Sequence, residues 1–177
     1  MIKTNWVVIT GAPCSGKTSL LNKIREYGYR YVPEIARVYT EAQLRIGRTL
    51  EQIRGDEGAF QRALMLPKLE IERGLSPTEL VFLDRACPDS LSYYRVAGIP
   101  VDTISGVMNE RIYAKVFLFE RLPMGPDIAR NEFDEQRELI ERYLFEDYSA
   151  LGYDVMRVPV MPMEARISYV LTRMPGC

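Results

Sequence analysis

The 177-residue sequence contains no histidine, which removes the commonest general base and the commonest metal ligand. Any proton transfer must therefore use a carboxylate or a less usual group. Cysteine is scarce and odd in number. Cys14, Cys87 and Cys177 stand far apart, with neither metal-ligand spacing nor the even count of a disulfide framework. That pattern suits a reducing compartment, and cytoplasmic is the expected location. No apolar run approaches the roughly 18 residues of a membrane span, and the first residues read as a strand rather than a signal peptide. Charge of one sign is also missing: 23 basic against 24 acidic residues leave a net −1. Composition thus offers no basic face for nucleic acid and none for a membrane surface. What remains is a globular mixture, 47% hydrophobic and 27% charged. Its length suits one domain over residues 1–177 with a single core.

Apolar periodicity gives the order of elements. "NWVVITG" is a short buried strand ending in glycine. "KTSLLNKIREYG" places Leu20, Leu21 and Ile24 on one helix face and stops at Gly28. "YRYVPE" reads as a second strand broken by Pro33, followed by a helix through "EIARVYTEAQLRIG". The long helical pattern "TLEQIRGDEGAFQRALMLPKLEIERGL" is expected to break or kink at Gly55, Gly58 and Pro67. "ELVFLD", "AKVFLFE" and "YDVMRVP" complete five strands. Helices are expected over "CPDSLSYYRVAG", "DEQRELIERYLFEDYSALG" and from about Met163. Strands apolar on both faces, alternating with helices, predict an α/β fold of three layers around a five-stranded parallel sheet. Ligands of such sheets bind at the carboxyl ends of the strands. Gly11, Glu34, Asp84 and Arg121 all lie just past one.

Between the first strand and helix, "GAPCSGKTS" fits G-x-x-x-x-G-K-[ST] from Gly11 to Thr18. This P-loop motif encloses phosphate with backbone N–H groups and the positive end of a helix dipole. Gly11, Ala12, Pro13, Cys14, Ser15, Gly16, Lys17, Thr18 and Ser19 are thus the expected nucleotide-binding residues. Lys17 should reach the β- and γ-phosphates, and Thr18 should ligate Mg²⁺. Cys14 lies inside the loop, either as a reactive thiol or as a small residue tolerated there.

Asp84, at the end of "ELVFLD", occupies the place of the carboxylate that holds Mg²⁺ through water. The competing role is capping of the next helix. No second carboxylate follows to activate water: Arg85 stands there instead. Nor does the chain carry a D-x-x-G after a strand or an N-K-x-D. A fixed cation beside a metal site suits an acceptor other than water or the transferring phosphoryl group. Arg85 could equally form a structural ion pair with Glu34 or Asp89.

"DRACPDSLSYY" resembles the D-R segment of nucleoside and thymidylate kinases, which would put Asp89, Ser90, Tyr93 and Tyr94 on a helix lining the acceptor pocket. "YVPEIARVY" is similar to the V-P-E-P-x-A-R segment of deoxynucleoside kinases, with Ile35 in place of the second proline. The resemblance implies Glu34 as general base with Arg37 beside it; stabilising the start of its own helix is the alternative. Over nearly its whole length the chain resembles small P-loop ATPase/kinase-like domains of the AAA-type ATPase/ribosylnicotinamide kinase-like group. "DIAR" (Asp127 to Arg130) and "YSALGYDVMRVP" are two of the segments that carry the likeness. Kinases of this class place a lid after the fourth strand, here about residues 121–133. Arg121 would then contact nucleotide and Arg130 would act in catalysis, with Arg137 one or two helical turns further on.

Two functions follow. The first is a Mg²⁺- and ATP-dependent kinase, with GTP possible, acting on a small-molecule acceptor such as a nucleoside, nucleotide or ribosyl compound. Lys17, Glu34, Asp84, Arg85 and Arg130 would be its catalytic residues, and Thr18 and Asp84 its metal residues. The second is a regulatory ATPase or GTPase switch acting on a protein partner. Oligomeric state is left open.

Overall fold

The computed structural model describes residues 1–108, 110–123 and 132–175. β2 (Val7–Thr10), β3 (Arg30–Val32), β4 (Val81–Asp84), β6 (Lys115–Phe119) and β7 (Val155–Val158) form one parallel sheet in the order β3-β4-β2-β6-β7. All five are the strands expected from the apolar runs. β2, β4 and β6 are buried along nearly their whole length, as a sheet covered on both faces requires.

Alternate side chains sort to the two faces. Val7, Ile9, Phe82, Phe117 and Phe119 meet Leu20, Leu21 and Ile24 of α1 (Lys17–Glu26) and Ile167 and Val170 of α8 (Met163–Leu171). Val8, Leu83, Val116 and Leu118 face Ile140, Leu144 and Tyr148 of α7 (Glu132–Ala150). Helices therefore cover both faces, giving three layers. On the second face lie also α4 (Glu57–Gly74) and α5 (Asp89–Val96). α2 (Ile35–Arg45) and α3 (Leu50–Arg54) pack on α4 through a cluster of Ile35, Ile53, Phe60 and Leu64.

Of the break or kink expected at Pro67, the break does not occur: α4 runs through it to Gly74. An interior proline costs about 3 kcal/mol, and burial of Phe60, Leu64 and Met65 on the same helix offsets that cost by about 1.5–3 kcal/mol per side chain. Gly55 does separate two helices, for Asp56 Oδ1 accepts from Ala59 N at 2.8 Å and starts α4. The chain also forms a two-residue parallel pair, β1 (Ile2–Lys3) with β5 (Arg111–Ile112), and a single turn, α6 (Asp102–Ser105). Elements so short carry no periodic signature.

β2 supplies the pivot of the sheet, with Ile9 opposite Asp84 on one side and Phe117 on the other. Gly11 leaves it at φ +143°, and a Cβ there would lie 2.6 Å from the backbone oxygen of Phe119. Gly11→Ala should therefore destabilise the fold by on the order of 3 kcal/mol, read as a lower midpoint of thermal unfolding. An unchanged midpoint would mean that the loop can leave β2 by another path.

Candidate active site

The carboxyl ends of β2, β3 and β4 open on a cavity of about 340 Å³. Lys17 and Thr18 of α1 form one wall, and Glu34 and Arg37 stand at the head of α2. Phe60, Leu64 and Lys68 come from α4, Asp84 and Arg85 from the end of β4, and Tyr93 from α5. Glu34, Asp84, Arg85, Lys17 and Thr18, all expected from sequence as site residues, thus share one cavity although up to 68 positions separate them.

The loop from Gly11 to Gly16 is fixed from several directions. Lys17 is buried, and its Nζ donates to Gly11 O (2.9 Å), Ala12 O (2.8 Å) and Ser15 Oγ (3.1 Å). Burial and then the Arg85 charge pull the Lys17 pKa down to about 7, against the opposing pull of Asp84 and Glu34. Cys14 (φ 59°) and Gly16 (φ 87°) both take left-handed backbone, the latter as the residue that opens α1. Cys14 is exposed and lines the cavity beside Pro13. Ser19 is exposed on α1 and does not line the cavity.

Two arginines from distant helices hold the loop from outside. Arg166 of α8 donates from Nη1 to Ser15 O at 2.7 Å and from Nε to Pro159 O at 3.2 Å. Arg137 of α7 donates from Nε to Pro13 O at 3.0 Å and from Nη2 to Leu122 O at 3.2 Å. Both are almost wholly buried. Arg121 lies apart from the loop, its Nε 3.1 Å from Glu141 and its Nη1 3.8 Å from Asp134, outside the cavity wall. Arg130, and most of the 121–133 segment, fall outside the described residues.

Asp84 is buried and its Oδ1 has no hydrogen-bond partner among the described residues. Burial raises its pKa to about 6, although Arg85 opposes the rise. An orphaned acceptor of this kind costs about 1–3 kcal/mol and marks a place suited to a cation. Thr18 stands on the same cavity, where its Oγ1 accepts from Arg37 Nη2 at 3.3 Å. Two protein oxygens, completed by water and phosphate, are the donor set that Mg²⁺ uses.

Arg85 follows in left-handed backbone (φ 67°) while its N–H donates to Ile9 O at 3.1 Å, extending the β2–β4 ladder by one residue. That geometry turns the side chain to the Glu34 carboxylate, 2.7 Å from Nε, and toward Asp89, 3.6 Å from Nη1. Both pairings weighed from sequence are therefore present. The guanidinium also lies 5.0 Å from the ring centre of Tyr93. Burial alone would raise the Glu34 pKa, yet Arg85 and Lys17 outweigh it and hold the carboxyl below the usual glutamate range. Glu34 is ionised, fixed at one oxygen and a quarter exposed toward the cavity.

Asp89 does not line the cavity; it organises the wall. Its Oδ1 accepts from Thr10 Oγ1 (2.5 Å), and its Oδ2 from Tyr148 Oη (2.6 Å) and Ala86 N (2.9 Å). Neither Lys68 nor Arg166 was legible as part of the site. For Lys68 a signal existed, because Phe60, Leu64, Lys68 and Glu72 repeat every four residues and place charge on the buried stripe of α4.

The sequence matches the family described as AAA domain over residues 6–166. No sequence among curated proteins matches. Among solved structures, NadR in complex with NR superposes at a TM-score of 0.73 with 14% identity. That match covers 98% of this chain but 52% of NadR, so the chain spans about half of that protein. Deoxyadenosine kinase from M. mycoides with products dCMP and dCDP superposes at 0.67 with 13% identity, covering 97% of this chain and all of the other. Thymidylate kinase from Ehrlichia chaffeensis gives 0.66 with 12% identity, over 97% and 98% of the two chains. At these identities the likeness establishes a P-loop kinase-like fold.

Proposed function

The chain belongs to the AAA-domain family, and we propose that residues 1–177 act as one phosphotransferase domain using Mg²⁺ and ATP, with GTP as the other possible donor. The acceptor is a small molecule with a free hydroxyl, of the nucleoside, nucleotide or ribosyl class. One observation carries this reading: the ionised Glu34 is held by Arg85 on the wall of the cavity that Lys17 and Thr18 also line. A water-activating second acid after Asp84 is missing, and the fixed Arg85 in its place favours transfer to an organic hydroxyl over hydrolysis.

In the proposed roles, residues 11–19 cradle the donor phosphates, with Lys17 turning from its own loop carbonyls to the β- and γ-phosphates. Thr18 and Asp84 hold the metal, which when bound neutralises charge on the phosphate oxygens. Glu34 orients the acceptor O–H and receives its proton. The acceptor oxygen bonds to the γ-phosphorus as the bond from that phosphorus to the ADP oxygen breaks. Arg85 positions Glu34 and contributes positive charge near the transferring group. Arg121 and Arg130 would join the site through the lid. For Arg121 this requires release from Glu141, which accepts from both its backbone N–H and its Nε, and from Asp134 and Glu138.

Incubation of the protein with Mg·ATP and a panel of nucleosides, nucleoside monophosphates and ribosyl compounds tests the proposal, following ADP release and new phosphorylated product together. At least one acceptor is expected to raise ADP release and to appear phosphorylated in equal amount. ADP release unmoved by every acceptor would instead favour the regulatory switch acting on a protein partner.

A further inference from the structure

Lys68 is a buried cavity-lining cation that forms no ion pair among the described residues. It sits on α4, 7% exposed, and its ammonium donates at 2.8 Å to the hydroxyl of Ser90, a neutral acceptor. An ammonium has three donors, and Lys68 forms no ion pair among the described residues. Its neighbours are already engaged. Asp89 accepts from Thr10, Tyr148 and Ala86, and Glu34 is paired with Arg85. Of the other cavity cations, Lys17 donates to its own loop, Arg37 to Thr18 and Arg54 to Glu57. Burial pulls the Lys68 pKa below the ordinary lysine range, with Asp89 opposing. A lysine so placed destabilises the empty protein, and an anion seated against it would supply the partner that the described residues do not.

We infer that the acceptor is anionic, carrying a phosphate ester or a carboxylate that seats against Lys68 in the cavity shared with Glu34. The inference deepens the phosphotransferase reading and rests on it for the word acceptor; the anion site itself stands on the geometry of Lys68. Beside that anion, Phe60, Leu64 and Tyr93 offer an apolar wall for the remainder of the molecule. Within the proposed acceptor class this favours a nucleoside monophosphate, or an acid of similar size, over a neutral nucleoside.

The test reads binding without nucleotide or turnover. Lys17→Ala weakens the phosphate loop, and thermal unfolding of that variant is then followed with inorganic phosphate and, separately, acetate. At least one of the two anions should raise the midpoint. In Lys17→Ala/Lys68→Met the same anion should be at least tenfold weaker, and in Lys17→Ala/Lys68→Arg it should act at close to its original concentration. Phosphate alone acting assigns a phosphate ester; acetate alone assigns a carboxylate. Anions without effect on Lys17→Ala, or with equal effect on Lys17→Ala and Lys17→Ala/Lys68→Met, overturn the inference. Should Lys68→Met fail to fold, Lys68→Gln carries the same comparison. Lys68-dependent anion binding with a silent acceptor panel would remove the kinase reading alone. An active panel of neutral acceptors with no such binding would remove this inference alone.

Discussion

Glu34→Gln is expected to lower phosphoryl transfer by about 10²–10⁴-fold, the usual span for loss of a positioned general base. Affinity for Mg·ATP should stay nearly intact, because Gly11 to Thr18 are untouched. Glutamine keeps an oxygen that can accept from Arg85 Nε at the 2.7 Å position, so the wall of the cavity need not rearrange. What is lost is the capacity to take a proton, together with one negative charge beside Arg85 and Lys17. Single-turnover measurement of product formation, with nucleotide binding followed separately, distinguishes these consequences. A large loss of ATP binding in Glu34→Gln would assign the residue to the donor side and remove it as a base.

Asp89→Ala should be the most destabilising change near the site. The carboxylate is completely buried and answers three donors, the hydroxyls of Thr10 and Tyr148 and the backbone N–H of Ala86. It also lies 3.6 Å from Arg85. Removal strands these donors and leaves Arg85 with Glu34 as its one ion-pair partner among the described residues. Breaking a buried charged network costs about 3–5 kcal/mol, so the unfolding midpoint should fall by on the order of 10 °C for a chain of this size. Tyr148→Phe removes a single donor and should cost about 1 kcal/mol. Equal losses in the two variants would show that Asp89 does not organise this network.

The sheet was legible because its evidence is local. Each central strand is a run of four or five apolar residues, and the first ends at the glycine of an eight-residue phosphate motif. Glu34, Asp84 and Arg85 were legible because each stands at or just past the end of an expected strand, and a parallel sheet brings strand ends together whatever their separation in the chain. The double pairing of Arg85 with Glu34 and Asp89 depends on left-handed backbone at a non-glycine residue, which no pattern announces. Arg137 was named with the lid arginines, but that it and Arg166 clamp the loop across 124 and 151 positions was not legible, since surface arginines of amphipathic helices look the same in sequence. Pro67 does not break α4 because that helix draws stability from packing on α2, α3 and α5, while the breaking tendency of proline is a local quantity.

The hold of Arg166 on Ser15 also bears on how the chain is made. Synthesis proceeds from the amino end, so the phosphate loop leaves the ribosome 151 positions ahead of the guanidinium that clamps it. A nascent chain can assemble β2, α1, β3 and β4 before this, yet the Ser15 carbonyl has no arginine until residue 166 is free of the exit tunnel. At roughly 5–20 residues per second, the two are separated by about 8 to 30 seconds of elongation. The nucleotide site therefore reaches its final form only once α8 has been made, and a chain cut short before α8 would carry the complete motif without the contact that fixes its shape.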